Sequence, residues 1–112
     1  MIDEKIQHTI DGEFSRAAGA KAAGNEGMVR VCARRAANAA VTLWLQDHPR
    51  PAWGADAITR LKGLGEDESQ PLKVREAAAR LSARIDTQFR SPSTDPVADS
   101  RIIIDHLLGE SV

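Results

Sequence analysis

The chain alternates between stretches with an apolar residue at every third or fourth position and short breaks rich in glycine, proline and acidic residues. The longest unbroken stretch runs from Asn25 to Gln46. Within it Val29, Cys32, Ala36, Ala40 and Leu43 fall on one stripe, with Ala33 and Trp44 beside it, which is helical spacing. Val31 and Leu45 lie on the other side. A helix apolar on more than one face is contacted by several others, so this one is expected at the centre of the molecule. Ala33, Ala36, Ala37, Ala39 and Ala40 let neighbouring helices approach closely, and Ala36 and Ala40 are expected at the tightest contact.

The same spacing predicts a first helix over 2–23, with Ile2, Ile6, Ile10, Phe14 and Ala17 on one face. Gly12 and Gly19 weaken it by about 1 kcal/mol each relative to alanine, so it leans on packing. Gly24 is a natural stop and Asn25 a natural cap for the central helix. So short a connection makes the two an antiparallel hairpin. The central helix ends near Asp47, because His48-Pro-Arg-Pro cannot continue it.

Residues 54–63 predict a short helix with Ile58 and Leu61 inward. Gly63-Leu-Gly-Glu-Asp-Glu then reads as a turn carrying a solvated acidic run. The next helix starts at Ser69 or Gln70, with Pro71 in its first turn. Val74, Ala77, Ala78, Leu81 and Ile85 face inward. Lys73, Arg75, Glu76, Arg80 and Arg84 face water, and Glu76 and Arg80 form a favourable pair one turn apart. Residues 86–94 read as a polar loop with Phe89 and Pro92. Asp95-Pro96 is a strong helix start. That last helix runs to about Leu108, with Gly109 as its stop. Val97, Ile104, Leu107 and Leu108 form its inner face, and Ile102 and Ile103 widen it. One apolar face covers only about a third of a helix, so either this helix inserts between two others of its own chain or, the favoured reading, Ile102 and Ile103 meet a second chain. The fold class is therefore all-α: an up-and-down bundle of four main helices and one short one, in a single domain over 1–112.

At 112 residues the chain is long enough to bury one core. Its net charge of −1 argues against a role built on neutralising phosphates, so nucleic acid is not the favoured partner. Aromatic residues make up only 4%, with no tyrosine, which suits close-packed helices better than a β-sandwich. The lone Cys32 fits a reducing, cytoplasmic setting. The first residues hold no apolar signal core, and no run approaches the length of a membrane span.

Candidate chemistry is sparse. Arg30, Arg34 and Arg35 give the central helix a basic sector, which on a functional reading binds phosphate or nucleic acid. The plainer reading has them pairing with Glu13, Glu26 or Asp99. Cys32, on the inner stripe, reads as a small hydrophobe. His8, His48 and His106 lack metal-ligand spacing, so no metal and no cofactor are expected. Trp53 either lines a ligand pocket or folds back over the end of the core. No nucleophile triad, phosphate loop or catalytic carboxylate pair is present.

Three segments carry a resemblance: Gly24-Asn-Glu-Gly-Met-Val-Arg-Val-Cys-Ala-Arg-Arg-Ala-Ala, Val74-Arg-Glu-Ala-Ala-Ala-Arg-Leu and Thr94-Asp-Pro-Val-Ala-Asp. Together they make residues 20–108 similar to small prokaryotic all-helical proteins related to the HEPN (higher eukaryotes and prokaryotes nucleotide-binding) bundles. The resemblance implies an up-and-down bundle, frequent dimerisation and, in some members, ribonuclease activity. Active HEPN ribonucleases carry an arginine, four to six residues and then a histidine. Arg101 and His106 match that spacing, but Ile102 stands where a polar residue usually follows the arginine. On one continuous helix the two point about 140° apart, so a joint site needs two chains. The leading expectation is a non-enzymatic interaction module acting as a homodimer or through a protein partner. An RNA-binding or ribonuclease role and a small-ligand pocket near Trp53 are the alternatives.

Overall fold

Four of the five described α-helices begin where a side chain replaces the missing backbone partners of the first turn. Asp3 accepts from the N–H of Lys5 at 2.8 Å and of Ile6 at 3.2 Å, and starts α1, Glu4–Ala22. Asn25 accepts from Met28 at 3.1 Å and starts α2, Glu26–Asp47. Asp56 accepts from Thr59 at 2.8 Å and starts α3, Ala57–Glu66. Pro71 precedes α4, Leu72–Ser82, without a side-chain cap. Asp95 accepts from Ala98 at 3.1 Å and starts α5, Pro96–Leu107, with Pro96 in the first turn. A single 3-10 turn, Pro51–Trp53, links α2 to α3. Gly24 turns the chain between α1 and α2 at a φ of 74°, a left-handed value that disfavours other residues.

This computed structural model describes residues 3–83 and 93–109. Ile2, Arg84, Ile85, Phe89, Pro92 and most of the expected loop 86–94 lie outside them. Among the described residues the molecule is an all-α bundle with no strand. Two helices are long, at 19 and 22 residues, and three have 10 to 12. No described helix is long and apolar enough to cross a membrane.

The central position expected for α2 is observed, since it packs on all four other helices. Two of its rows do this. Ala33, Ala37 and Val41 are fully buried and meet Leu61, Leu64, Val74, Ala77, Leu81 and Ile103 of α3, α4 and α5. Ala36, Ala39 and Ala40 meet Ile10 of α1 and Ile104 of α5. Val29 and Cys32 continue the second row against Ala17. Ala36 and Ala40 are both wholly inaccessible, as expected of the tightest contact.

Three expectations are corrected. First, Gly63 and Gly65 do not form a turn: α3 continues through both to Glu66. A Cβ at Gly63 would stand 2.5 Å from the Trp53 ring, and one at Gly65 would stand 3.3 Å from the Arg75 carbonyl oxygen. The glycines are there because other groups pass close by, which also lets Leu64 reach the core. Leu61 and Leu64 are the buried residues of α3, and Ile58, expected inward, is 44% exposed.

Second, Arg80 does more than face water beside Glu76, whose charge favours it. It donates to both carboxylate oxygens of Asp99 on α5, at 2.8 to 3.3 Å, and Ser93 donates to Asp99 at 2.6 Å. Asp99 is buried, and so is Ser100, whose hydroxyl donates to the carbonyl of Ala33 at 2.9 Å.

Third, the inner face of α5 is rotated toward those two polar residues and runs Pro96, Asp99, Ser100, Ile103, Leu107, with Ile104 beside it. Ile103 is wholly buried and Ile102 is half-buried against the same core cluster. Helix α5 inserts among α1, α2 and α4 of its own chain. Ile103 is used there, as in the first of the two alternatives for this helix, while Ile102 keeps part of its surface exposed.

Ala36→Leu is expected to overpack the α1–α2 contact at a cost of about 1–3 kcal/mol. Thermal unfolding should show a midpoint lower by several degrees, and an unchanged midpoint would contradict the packing described for α2. Ile102→Glu drives a carboxylate against the core cluster and should lower the midpoint while light scattering reports an unchanged mass. A stable variant of smaller mass would restore Ile102 to an interface.

Candidate ligand-binding groove

Arg30 and Arg34 lie one turn apart on α2, so their side chains leave the helix on the same flank, beside the buried row of Ala33 and Ala37. That flank borders a groove of about 840 Å³. Its opposite wall is α3, with Ile58, Lys62 and Glu66 among the described residues that line it. Its floor is the end of α4, through Ala79, Ser82 and Ala83. A volume of that size lies within the roughly 300–1,000 Å³ typical of small-molecule sites.

The two arginines do different work. Arg34 donates through Nε to the Leu81 carbonyl at 2.6 Å and through Nη2 to the Ala83 carbonyl at 3.2 Å. Those carbonyls end α4 and have no partner within the helix, so Arg34 serves as the C-terminal cap that the α4 sequence lacks. Burial, and then the like charge of Arg30, push the Arg34 guanidinium below its ordinary pKa. The Nε of Arg30 is shut off from water and has no acceptor among the described residues. Neither arginine, nor Lys62, makes an ion pair among the described residues. The pairing expected with Glu13, Glu26 or Asp99 is therefore not formed: Glu13 binds Arg16 at 3.1 Å and Asp99 binds Arg80. Arg35 is exposed and stands apart from the groove.

Trp53 does not line that groove. It is 9% exposed, lies over Gly63 and stacks on Trp44 with ring centroids 5.7 Å apart. Trp44 in turn stacks on His48 at 4.4 Å, and the Arg50 guanidinium lies 5.2 Å from the Trp44 ring. Trp53 thus covers one end of the core, which is the plainer of the two roles expected for it. Its edge borders a smaller cleft of about 480 Å³, which shares Thr59, Lys62 and Glu66 of α3 with the larger groove.

Arg101 and His106 are not brought together within the chain. The Arg101 guanidinium sits 4.4 Å from the Phe14 ring of α1. His106 Nε2 faces the side-chain carbonyl of Gln70 at 3.1 Å, between α3 and α4, and donates to it. Each has a partner on a different side of α5. Cys32 is wholly buried, and burial, then the neighbouring Glu13, raise its thiol pKa, which disfavours the reactive thiolate. No group of three metal-ligating side chains comes together among the described residues.

Of the groove residues, Arg30 and Arg34 were visible in the sequence as a basic sector. Lys62 and Glu66 were not singled out, and Ile58 was expected inward. The signal for Lys62 is its place one turn after Ile58 on α3, but it carries meaning only once Gly63 and Gly65 are known to be helical.

Gly63→Ala is expected to displace the Trp53 ring or bend α3, destabilising the chain by about 1–3 kcal/mol. The tryptophan emission should shift to the red as Trp53 gains water. Unaltered emission and midpoint would mean that the ring does not rest on Gly63.

No family model, curated protein or solved structure matches the chain.

Proposed function

We propose that the protein is a non-enzymatic binding module and that the groove between α2, α3 and α4 is where it takes a small organic ligand. One observation carries this reading. The groove joins exposed apolar surface, with Ile58 at 44% exposure, to cationic groups from two helices that have no carboxylate partner among the described residues. Ligand sites combine these same elements, an apolar lining and a few convergent polar groups. The framework around it is rigid in the sense that matters for binding. Arg34 ties α2 to the end of α4, and Gly65 lets α3 lie against α4. Little ordering remains to be done when a ligand enters.

Amide chemical-shift mapping with a fragment panel tests the reading. Hits should perturb Thr59, Gly65, Ala79 and Ala83, and Ile58→Glu should abolish those hits while leaving the fold intact, because Ile58 is already exposed. A panel whose hits all map to other surfaces, or that remain after Ile58→Glu, would sink it.

A further inference from the structure

We infer that the groove selects a small organic anion, an apolar body bearing one carboxylate, sulfonate or phosphate group, and that the Arg30 guanidinium meets that group. This rests on the groove being the binding site. The described lining holds three cations, Arg30, Arg34 and Lys62, against one carboxylate, Glu66. An excess of positive charge at a concave surface attracts an anion more strongly than the same charges do on an open face.

The division of labour between the arginines says which one is free to respond. Arg34 has already given Nε and Nη2 to the carbonyls that end α4. Drawing it away would strip those carbonyls of their cap. Arg30 makes no hydrogen bond among the described residues, and its Nε lies out of reach of water. The Arg30 guanidinium lines the groove and is committed to no carboxylate among the described residues, so an anionic oxygen entering the groove gives its outer nitrogens an acceptor. The anion also relieves the repulsion between the two guanidinium groups, a repulsion visible in the lowered pKa of Arg34 after its burial. Lys62 stands on the opposite wall, where it adds charge without a fork geometry. Ile58 and Ala79 offer the apolar surface on which the body of the ligand rests.

The charge is suited to one headgroup and not to a polyanion. Arg35 is directed elsewhere, and the whole chain carries a net charge of −1. A polyphosphate strand needs cations spread along its path, whereas these are gathered at one place.

A matched pair of fluorescent probes tests this on the full chain. 1-Anilinonaphthalene-8-sulfonate and N-phenyl-1-naphthylamine share an apolar body and differ by the sulfonate. The sulfonate is expected to bind about tenfold or more tighter than its neutral parent at low salt, a preference that fades toward about 1 M salt. Competition with 1-naphthoate and 1-naphthyl phosphate then identifies the headgroup preferred. Arg30→Gln should remove the preference and keep the neutral probe's affinity, and Lys62→Gln should reduce the preference in part. Equal binding of the two probes, both lost in Ile58→Glu, overturns the anion inference and leaves the groove reading standing. Binding of both that is untouched by Ile58→Glu overturns both. A preference that survives Arg30→Gln overturns the role of Arg30. Should Arg30→Gln fail to fold, a preference of the unmodified protein that is indifferent to salt overturns the inference.

Discussion

The architecture depends on one contact surface, the alanine rows of α2. Ala33 and Ala37 on one side and Ala36 and Ala40 on the other are wholly inaccessible. Helices that meet over alanine pack at the short end of the roughly 8–10 Å range of interaxial distances. Four partners surround this single helix of 22 residues because the contact positions along its middle are small. The weak amphipathicity of α2, which gives it no dominant polar face, is therefore a requirement of its place. The position of the groove follows from it as well. Arg30 and Arg34 sit on the edge of the Ala33–Ala37 row, so they emerge where α3 and α4 come up against α2.

Alanine faces are close-packed but carry little information about register, since one alanine fits much like another. The polar groups buried around α2 supply that information. Ser100 on α5 reaches the Ala33 carbonyl, Arg80 on α4 holds Asp99 on α5, and Arg34 on α2 holds the last carbonyls of α4. Each bond ties a different pair of helices at one defined height. The Arg80–Asp99 pair is half open to water on the arginine side, at 40% side-chain exposure against 8% for the carboxylate. Its net contribution to stability is therefore modest, and its cost if mismatched is the larger effect. That asymmetry penalises any sliding of α5 along α4.

Features that depend on neighbours in the chain were legible in the sequence. The caps Asn25 and Asp95-Pro96, the stop at Gly24 and the central place of α2 follow from residues within a turn or two of each other. Features that depend on distant neighbours were not. Asp99 and Ser100 look like surface residues until Arg80 and Ala33, 19 and 67 positions away, are seen beside them. Once those two face inward, Ile103 must follow them and Ile102 must move to the flank. Gly63 and Gly65 look like breakers because the sequence cannot show the indole and the backbone that press on them. Glu13 is buried on the apolar face of α1, beside Cys32 and paired with Arg16 through one oxygen. Nothing in the local pattern marks it.

The same distinction explains why the groove was half visible. A basic sector on α2 can be read from Arg30, Arg34 and Arg35 alone, but whether each charge is spent or spare is decided by other helices. The structure spends Arg34 on α4, leaves Arg35 to solvent and gives the Arg30 Nε no acceptor among the described residues. Among the sequence-derived sites, Arg101 and His106 are likewise engaged, by Phe14 and Gln70, and Trp53 by Trp44 and Gly63. Glu13 Oε1 and Asn38 Oδ1 are also buried without a partner among the described residues, but Arg30 differs from both in lining the groove, so the fold has kept open space beside its charge. A chain selected for packing alone gains by filling that space or by removing that charge. Keeping both is sensible for a chain that binds something there.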